Sequence, residues 1–167
     1  MPILYVNFMC TIISTLYDLK TGKIPNFITL PAIVLGLILN AYYSGLEGLK
    51  DSLLGMILGI LLLLIPFVLH GLGAGDVKLL AAIGALNGST FVFYTFLYSA
   101  MAGGLLALAI ALFRGQIYTV MTNVWVSLQG ITLGVQDVDR PLVVTSGLKF
   151  PYGVAFLIGT IVTYWLR

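Results

Sequence analysis

The chain has 167 residues, of which 60% are hydrophobic and 8% charged, with a net charge of +2 and a mean hydropathy of +1.09. A soluble domain of this length carries about 25% charged residues and cannot hide so much apolar surface, so the composition excludes an ordinary soluble fold and points to the bilayer as solvent. The small net charge gives no basic footprint for nucleic acid, and the single cysteine, Cys10, allows neither an intramolecular disulfide nor a cysteine metal site.

The first apolar run is Ile3 to Tyr17. At helical rise it covers about 22 Å, short of the roughly 30 Å hydrocarbon core, so the helix is expected to continue past Asp18 and to set that carboxylate at the membrane boundary. No basic residue precedes this run and no small-residue cleavage site follows it, so it reads as an uncleaved anchor with its N-terminus outside. Gly22 and Pro25 then break the helix, and Lys20 and Lys23 mark a cytoplasmic turn.

Phe27 to Tyr43 is the second predicted span, with Pro31 in its first turns. Ser44 to Ser52 reads as a polar turn carrying Glu47, Lys50 and Asp51. Leu53 to Leu69 is the third span, and its Gly55-x-x-x-Gly59 spacing allows a close helix crossing. His70 to Asp76 breaks the chain again, and Val77 to Leu86 follows as a short fourth span that must borrow residues from the glycine loop. Asn87-Gly88-Ser89 is a turn, Phe91 to Phe113 is the fifth span, and Phe150 to Trp165 is the sixth.

Between the last two, Ile117, Val120, Met121, Val124, Trp125, Leu128 and Ile131 share one helical face, which predicts an amphipathic helix lying on the membrane surface. Six spans with both termini outside leave Lys20, Lys23, Lys78, Arg114, Arg140 and Lys149 cytoplasmic, against Lys50 and Arg167 outside. That balance obeys the positive-inside tendency, and making the surface helix a seventh span would destroy it. The predicted fold is therefore all-α: one membrane-embedded bundle of about six transmembrane helices plus one surface helix.

Four of the six acidic residues, Glu47, Asp51, Asp137 and Asp139, fall in polar segments and read as solvated surface charges. Asp18 and Asp76 stand instead where an apolar helix meets a glycine- or proline-marked break. The topology brings both to the cytoplasmic side, on different helices at one depth. Ionisable groups there are costly unless paired, hydrated or functional. Two neighbouring aspartates share a proton, and such a pair can take a proton from water while donating one to a scissile carbonyl. Helix capping accounts for Asp76 equally well, because a carboxylate is favoured at a helix N-terminus in any case. Gly73 and Gly75, lacking side chains, would let a substrate backbone approach.

The segments YDLKTGKIPN (Tyr17 to Asn26), GLGAGDVKLLAAIGALNG (Gly71 to Gly88, with a GxGD motif at Gly73 to Asp76) and FPYGVA (Phe150 to Ala155) resemble, in order, the signature regions of the type IV prepilin peptidases. They cover about a fifth of the chain. The resemblance implies that Asp18 and Asp76 are a catalytic aspartate dyad, and that the substrate is a prepilin or pseudopilin cleaved at the cytoplasmic face. It implies that no metal or other cofactor serves the peptidase step. It also suggests a multi-pass protein of the cytoplasmic membrane, its only other neighbours being lipid and a possible second copy of itself.

The chain looks more like the compact peptidases of tight-adherence (Flp) pili, or the archaeal preflagellin peptidases, than the longer relatives that carry a four-cysteine zinc domain, so methyltransferase activity is not expected; of the two compact types the Flp one is preferred. Lys78 stands two residues after Asp76, to act on that carboxylate or a substrate group, or to snorkel to the headgroups. Pro25 and Asn26 shape the turn of the first motif, and Pro151, Tyr152 and Gly153 enter the last span beside the dyad. His70 reads as interfacial. Two other readings stay open: a presenilin-like intramembrane protease, which shares Tyr-Asp and GxGD but has a Pro-Ala-Leu motif absent here, and a proton or cation transporter built on paired aspartates.

Overall fold

The computed structural model describes residues 2–68, 72–113, 115 and 152–166. The predicted surface helix, Asp137, Asp139, His70, Phe150 and Pro151 lie outside the described residues. Among the described residues the protein is all-helical, with α1 (Pro2–Thr21), α2 (Asn26–Val68), α3 (Ala74–Asn87), α4 (Ser89–Phe113) and α5 (Tyr152–Leu166). Helices α1 and α2, and α4 over Ser89–Ile110, are long and apolar enough to cross a membrane, while α5 is a shorter apolar helix.

Helix α1 runs past Asp18, as its length required, and stops where Gly22 adopts φ 63° and its N–H closes on the Asp18 carbonyl at 2.7 Å. That left-handed residue is the usual glycine device for ending a helix.

The second and third predicted spans are joined differently from the expectation. Helical structure continues through the segment read as a polar turn, and the break is confined to Gly45 (φ 61°, ψ −146°). The physical reason is that Leu46 to Asp51 makes good helix despite its charges, with Lys50 reaching back to Glu47 at 2.8 Å one turn away. Gly45 nonetheless turns the chain back on itself. Gly36 on the first arm and Gly55 on the second both press on residues 84–88 of α3 and its C-cap. In a straight helix these glycines would stand about 28 Å apart.

Helix α3 lies between the two arms. Its Leu79, Leu80, Ala82, Ile83, Ala85 and Leu86 are fully buried. A helix that is apolar all round belongs inside a bundle. Glycines allow this closeness: a Cβ on Gly59 would meet the Leu80 carbonyl oxygen at 2.7 Å, and one on Gly55 would meet the Gly88 carbonyl carbon at 2.7 Å. The Gly55-x-x-x-Gly59 spacing thus forms a real helix crossing. The last α3 carbonyls are taken by side chains of the arms. Asn40 Nδ2 donates to Ala85 O (3.1 Å) and Leu86 O (3.0 Å), and Ser52 Oγ donates to Ala85 O.

Asp51 is not the free surface charge that its neighbourhood suggested. Its Oδ1 accepts from Ser89 N (3.0 Å) and Ser89 Oγ (2.6 Å), so it caps the start of α4. Glu47 is the solvated charge expected, 84% exposed and paired only with Lys50. On the other side of the bundle, α1 packs on α5. There Tyr164 stacks on Phe8, receives Asn7 Nδ2 at 3.3 Å and donates to Asn87 Oδ1, which ties α1, α5 and α3 together.

Candidate active site

The end of the bundle where α1 stops and α3 starts carries both singled-out aspartates. Asp18 is half-buried in the last turn of α1. Its Oδ2 accepts the Gly153 N–H at 2.9 Å, a donor that α5 offers because the first N–H groups of a helix have no partner within it. Asp76 is 6% exposed in the first turn of α3, and its Oδ2 accepts the Gly73 N–H at 3.0 Å. The capping role anticipated for Asp76 is therefore present. The two carboxyls are close enough for the charge of Asp18 to act on Asp76, and the charge of Asp76 reaches Tyr152.

The two glycines of the GxGD segment serve different ends. Gly73 is open: a Cβ there would meet the Asp76 Oδ2 at 3.3 Å and little else. Gly75 is not open to a substrate backbone as expected. A Cβ there would come to 2.9 Å from Ile24 Cβ and 3.1 Å from both Ile24 N and O. The space beside Gly75 is filled by the protein's own α1–α2 turn, whose Ile24 is buried. The missing side chain locks the first motif onto the second.

Lys78 reinforces that lock. Its Nζ donates to Asn26 Oδ1 at 2.8 Å, so it spans the two motifs. Pro25 and Asn26 form the entrance to α2, where Ile28 N bonds Pro25 O at 3.3 Å, in keeping with a turn-shaping role. Tyr152 and Gly153 begin α5 next to the aspartates, as the last motif suggested.

Two contributors were not singled out from the sequence. Ile24 is one. Thr15 is the other: buried one turn before Asp18, its hydroxyl lies 2.9 Å from Gly153 O and 2.7 Å from Thr11 O. Its spacing of three residues from Asp18 put it on the same helix face, which was the available signal.

Comparison with known proteins identifies the family. The sequence model of the type IV leader peptidase family matches residues 5–108, a stretch that includes both aspartates. A prepilin leader peptidase/N-methyltransferase of Escherichia coli is 35% identical over 133 residues, covering 75% of this chain and 58% of that protein. A protein of the same name from Burkholderia pseudomallei is 37% identical over 106 residues, covering 59% and 34%. A preflagellin peptidase of Methanocaldococcus jannaschii is 34% identical over 79 residues, covering 45% and 33%. This chain thus spans little more than half the length of the E. coli relative and about a third of the other two. No solved structure matches. With three fifths of its length matched and the first two of the three signature segments inside the match, the chain belongs to the type IV leader peptidase family.

Proposed function

We propose that this chain is a membrane aspartic endopeptidase that removes the leader of type IV prepilins or prepilin-like proteins at the cytoplasmic face. The reading is supported by the placement of Asp18 and Asp76 at one end of the bundle, near enough for the charge of one to act on the other, each with its Oδ2 held by a glycine N–H. Each Oδ2 thus accepts one glycine N–H, and among the described residues neither Oδ1 has a hydrogen-bond partner, which leaves both Oδ1 atoms for water and substrate.

Water is activated between the two carboxyls. One carboxylate takes a proton from the water as its oxygen bonds to the scissile carbonyl carbon, and the other carboxyl gives its proton to the carbonyl oxygen. A neutral gem-diol results. A proton then passes to the amide nitrogen, the C–N bond breaks, and a new carboxyl and a new amine leave.

The membrane arrangement that fits is six crossings: α1, the two arms of α2, then α3, α4 and α5. The reversal at Gly45 supports counting α2 twice. This puts the aspartates, Lys20, Lys23 and Lys78 on the cytoplasmic side and Lys50 outside, in the inner membrane. The proposal covers the peptidase step only.

The test is co-expression with a candidate prepilin, reading leader removal as a band shift. Asp18→Asn and Asp76→Asn should each lower cleavage by about 10³-fold or more, with normal amounts of protein in the membrane. Efficient cleavage by either variant would falsify the dyad.

A further inference from the structure

Both backbone polar groups of Gly153 are held by α1. Its N–H goes to Asp18 Oδ2 at 2.9 Å, and its carbonyl oxygen faces the Thr15 hydroxyl at 2.9 Å. A carbonyl only accepts, so the proton of this contact is the hydroxyl's. Gly153 itself is buried against α1 with no room to spare: a Cβ would come to 3.0 Å from Thr15 Cα, 3.1 Å from Asp18 Oδ2 and 3.2 Å from Asp18 Cβ. Asp18 therefore depends for its orientation on a donor 135 residues away in the chain. That donor sits on the first turn of a helix with no short covalent link to α1.

We propose that Thr15 is a positioning residue for Asp18, acting through Gly153. Thr15 holds the Gly153 carbonyl, and with it the first turn of α5, so that the N–H of the same residue stays aimed at Oδ2, leaving Oδ1 for the reacting atoms. The hydroxyl has a second acceptor, Thr11 O at 2.7 Å within its own helix. One proton serves both, so the clamp closes when α5 is seated and relaxes onto α1 when it is not. Thr11, one turn earlier, turns its hydroxyl back to Asn7 O (2.9 Å) and Phe8 O (3.1 Å) of its own helix. It is the matched control.

This inference rests on the peptidase reading, and its test separates the two. Thr15→Val keeps the shape and removes the donor, while Thr15→Ser keeps the donor. With a purified prepilin as substrate, Thr15→Val is expected to lower kcat by about 10- to 100-fold with KM little changed, the range that an ångström-scale misplacement of a reacting group produces. Thr15→Ser restores kcat, and Thr11→Val leaves it unchanged.

A second measurement needs no substrate. Labelling of Asp18 by a water-soluble carbodiimide, mapped by mass spectrometry, should rise about fivefold in Thr15→Val and not in Thr15→Ser, the factor that loss of one ordinary hydrogen bond corresponds to. Equal labelling of wild type and Thr15→Val overturns the clamp whatever the activity. So does a Thr15→Ser variant as impaired as Thr15→Val. Cleavage by Asp18→Asn sinks the peptidase reading, and the labelling comparison still decides the clamp.

Discussion

Gly84→Ala tests the packing that holds Asp76 in place. An added Cβ would overlap the Gly55 carbonyl oxygen and approach the Gly55 carbonyl carbon to 2.5 Å and the Met56 nitrogen to 3.1 Å. Nine in ten real Cβ contacts are longer than 3.4 Å, so the second arm of α2 must retreat by roughly an ångström or more, the carbonyl oxygen being nearer than the carbon. Both sides of the contact are backbone, with no flexible side chain to yield. Overpacking of this kind costs about 1–3 kcal/mol. Alanine also gains close to 1 kcal/mol of helix propensity over glycine, which masks part of the loss. Gly104→Ala supplies the correction: it lies in a helix and its Cβ would meet nothing within 4 Å. The quantity to measure is the difference in unfolding free energy between the two alanine variants, by SDS titration from mild detergent micelles. Gly84→Ala should be less stable by about 1–3 kcal/mol. Equal stability would mean that α3 does not sit backbone-to-backbone against the second arm, and the account of why Asp76 is rigidly held would fail.

Two further outcomes are expected. Asp51→Ala removes the acceptor of both Ser89 N and Ser89 Oγ and should lower stability by about 1 kcal/mol, whereas Glu47→Gln, which loses only an exposed ion pair, should change it by less than about 0.5 kcal/mol in the same titration. Gly75→Ala drives a methyl into Ile24 and displaces the turn joining the two motifs. Prepilin cleavage should fall by about tenfold or more through kcat, while Gly73→Ala, which meets only Asp76 Oδ2 at 3.3 Å, should fall less.

What the sequence revealed followed from local chemistry. Apolar runs and glycine or proline breaks located the helices, and the length deficit of Ile3 to Tyr17 correctly carried α1 past Asp18. The two aspartates stood out because each adjoins such a break. Local chemistry also misled. The charges at Glu47, Lys50 and Asp51 suggested a turn, yet they lie on helix, because charged side chains at a membrane edge are as compatible with helix as with loop. Asp51 looked solvated because its partner, Ser89, is 38 residues on. Thr15 was passed over because its partner is 138 residues away, and a threonine in an apolar helix ordinarily bonds its own preceding turn, as Thr15 also does. Gly75 was read as room for substrate when the room was already taken by Ile24, a contact that no spacing rule encodes.

The bundle has two halves that meet at the aspartates, and they are held by different physics. Asp76 rides on α3, which the arms of α2 clasp backbone to backbone, with its last carbonyls satisfied by Asn40 and Ser52. That half resists motion because displacing it would open voids along glycine-lined contacts and strand polar groups away from water. Asp18 rides on α1, whose neighbour α5 is joined to it through hydroxyls and amides: Thr15 to Gly153, Asn7 to Tyr164. Hydrogen bonds between membrane helices are individually modest, so this half is the more easily displaced. In the proposed dyad Asp76 is then the more firmly held carboxyl and Asp18 the more easily displaced one, and the turn from Gly22 to Asn26, pinned by Gly75 against Ile24 and by Lys78 on Asn26, joins the two halves.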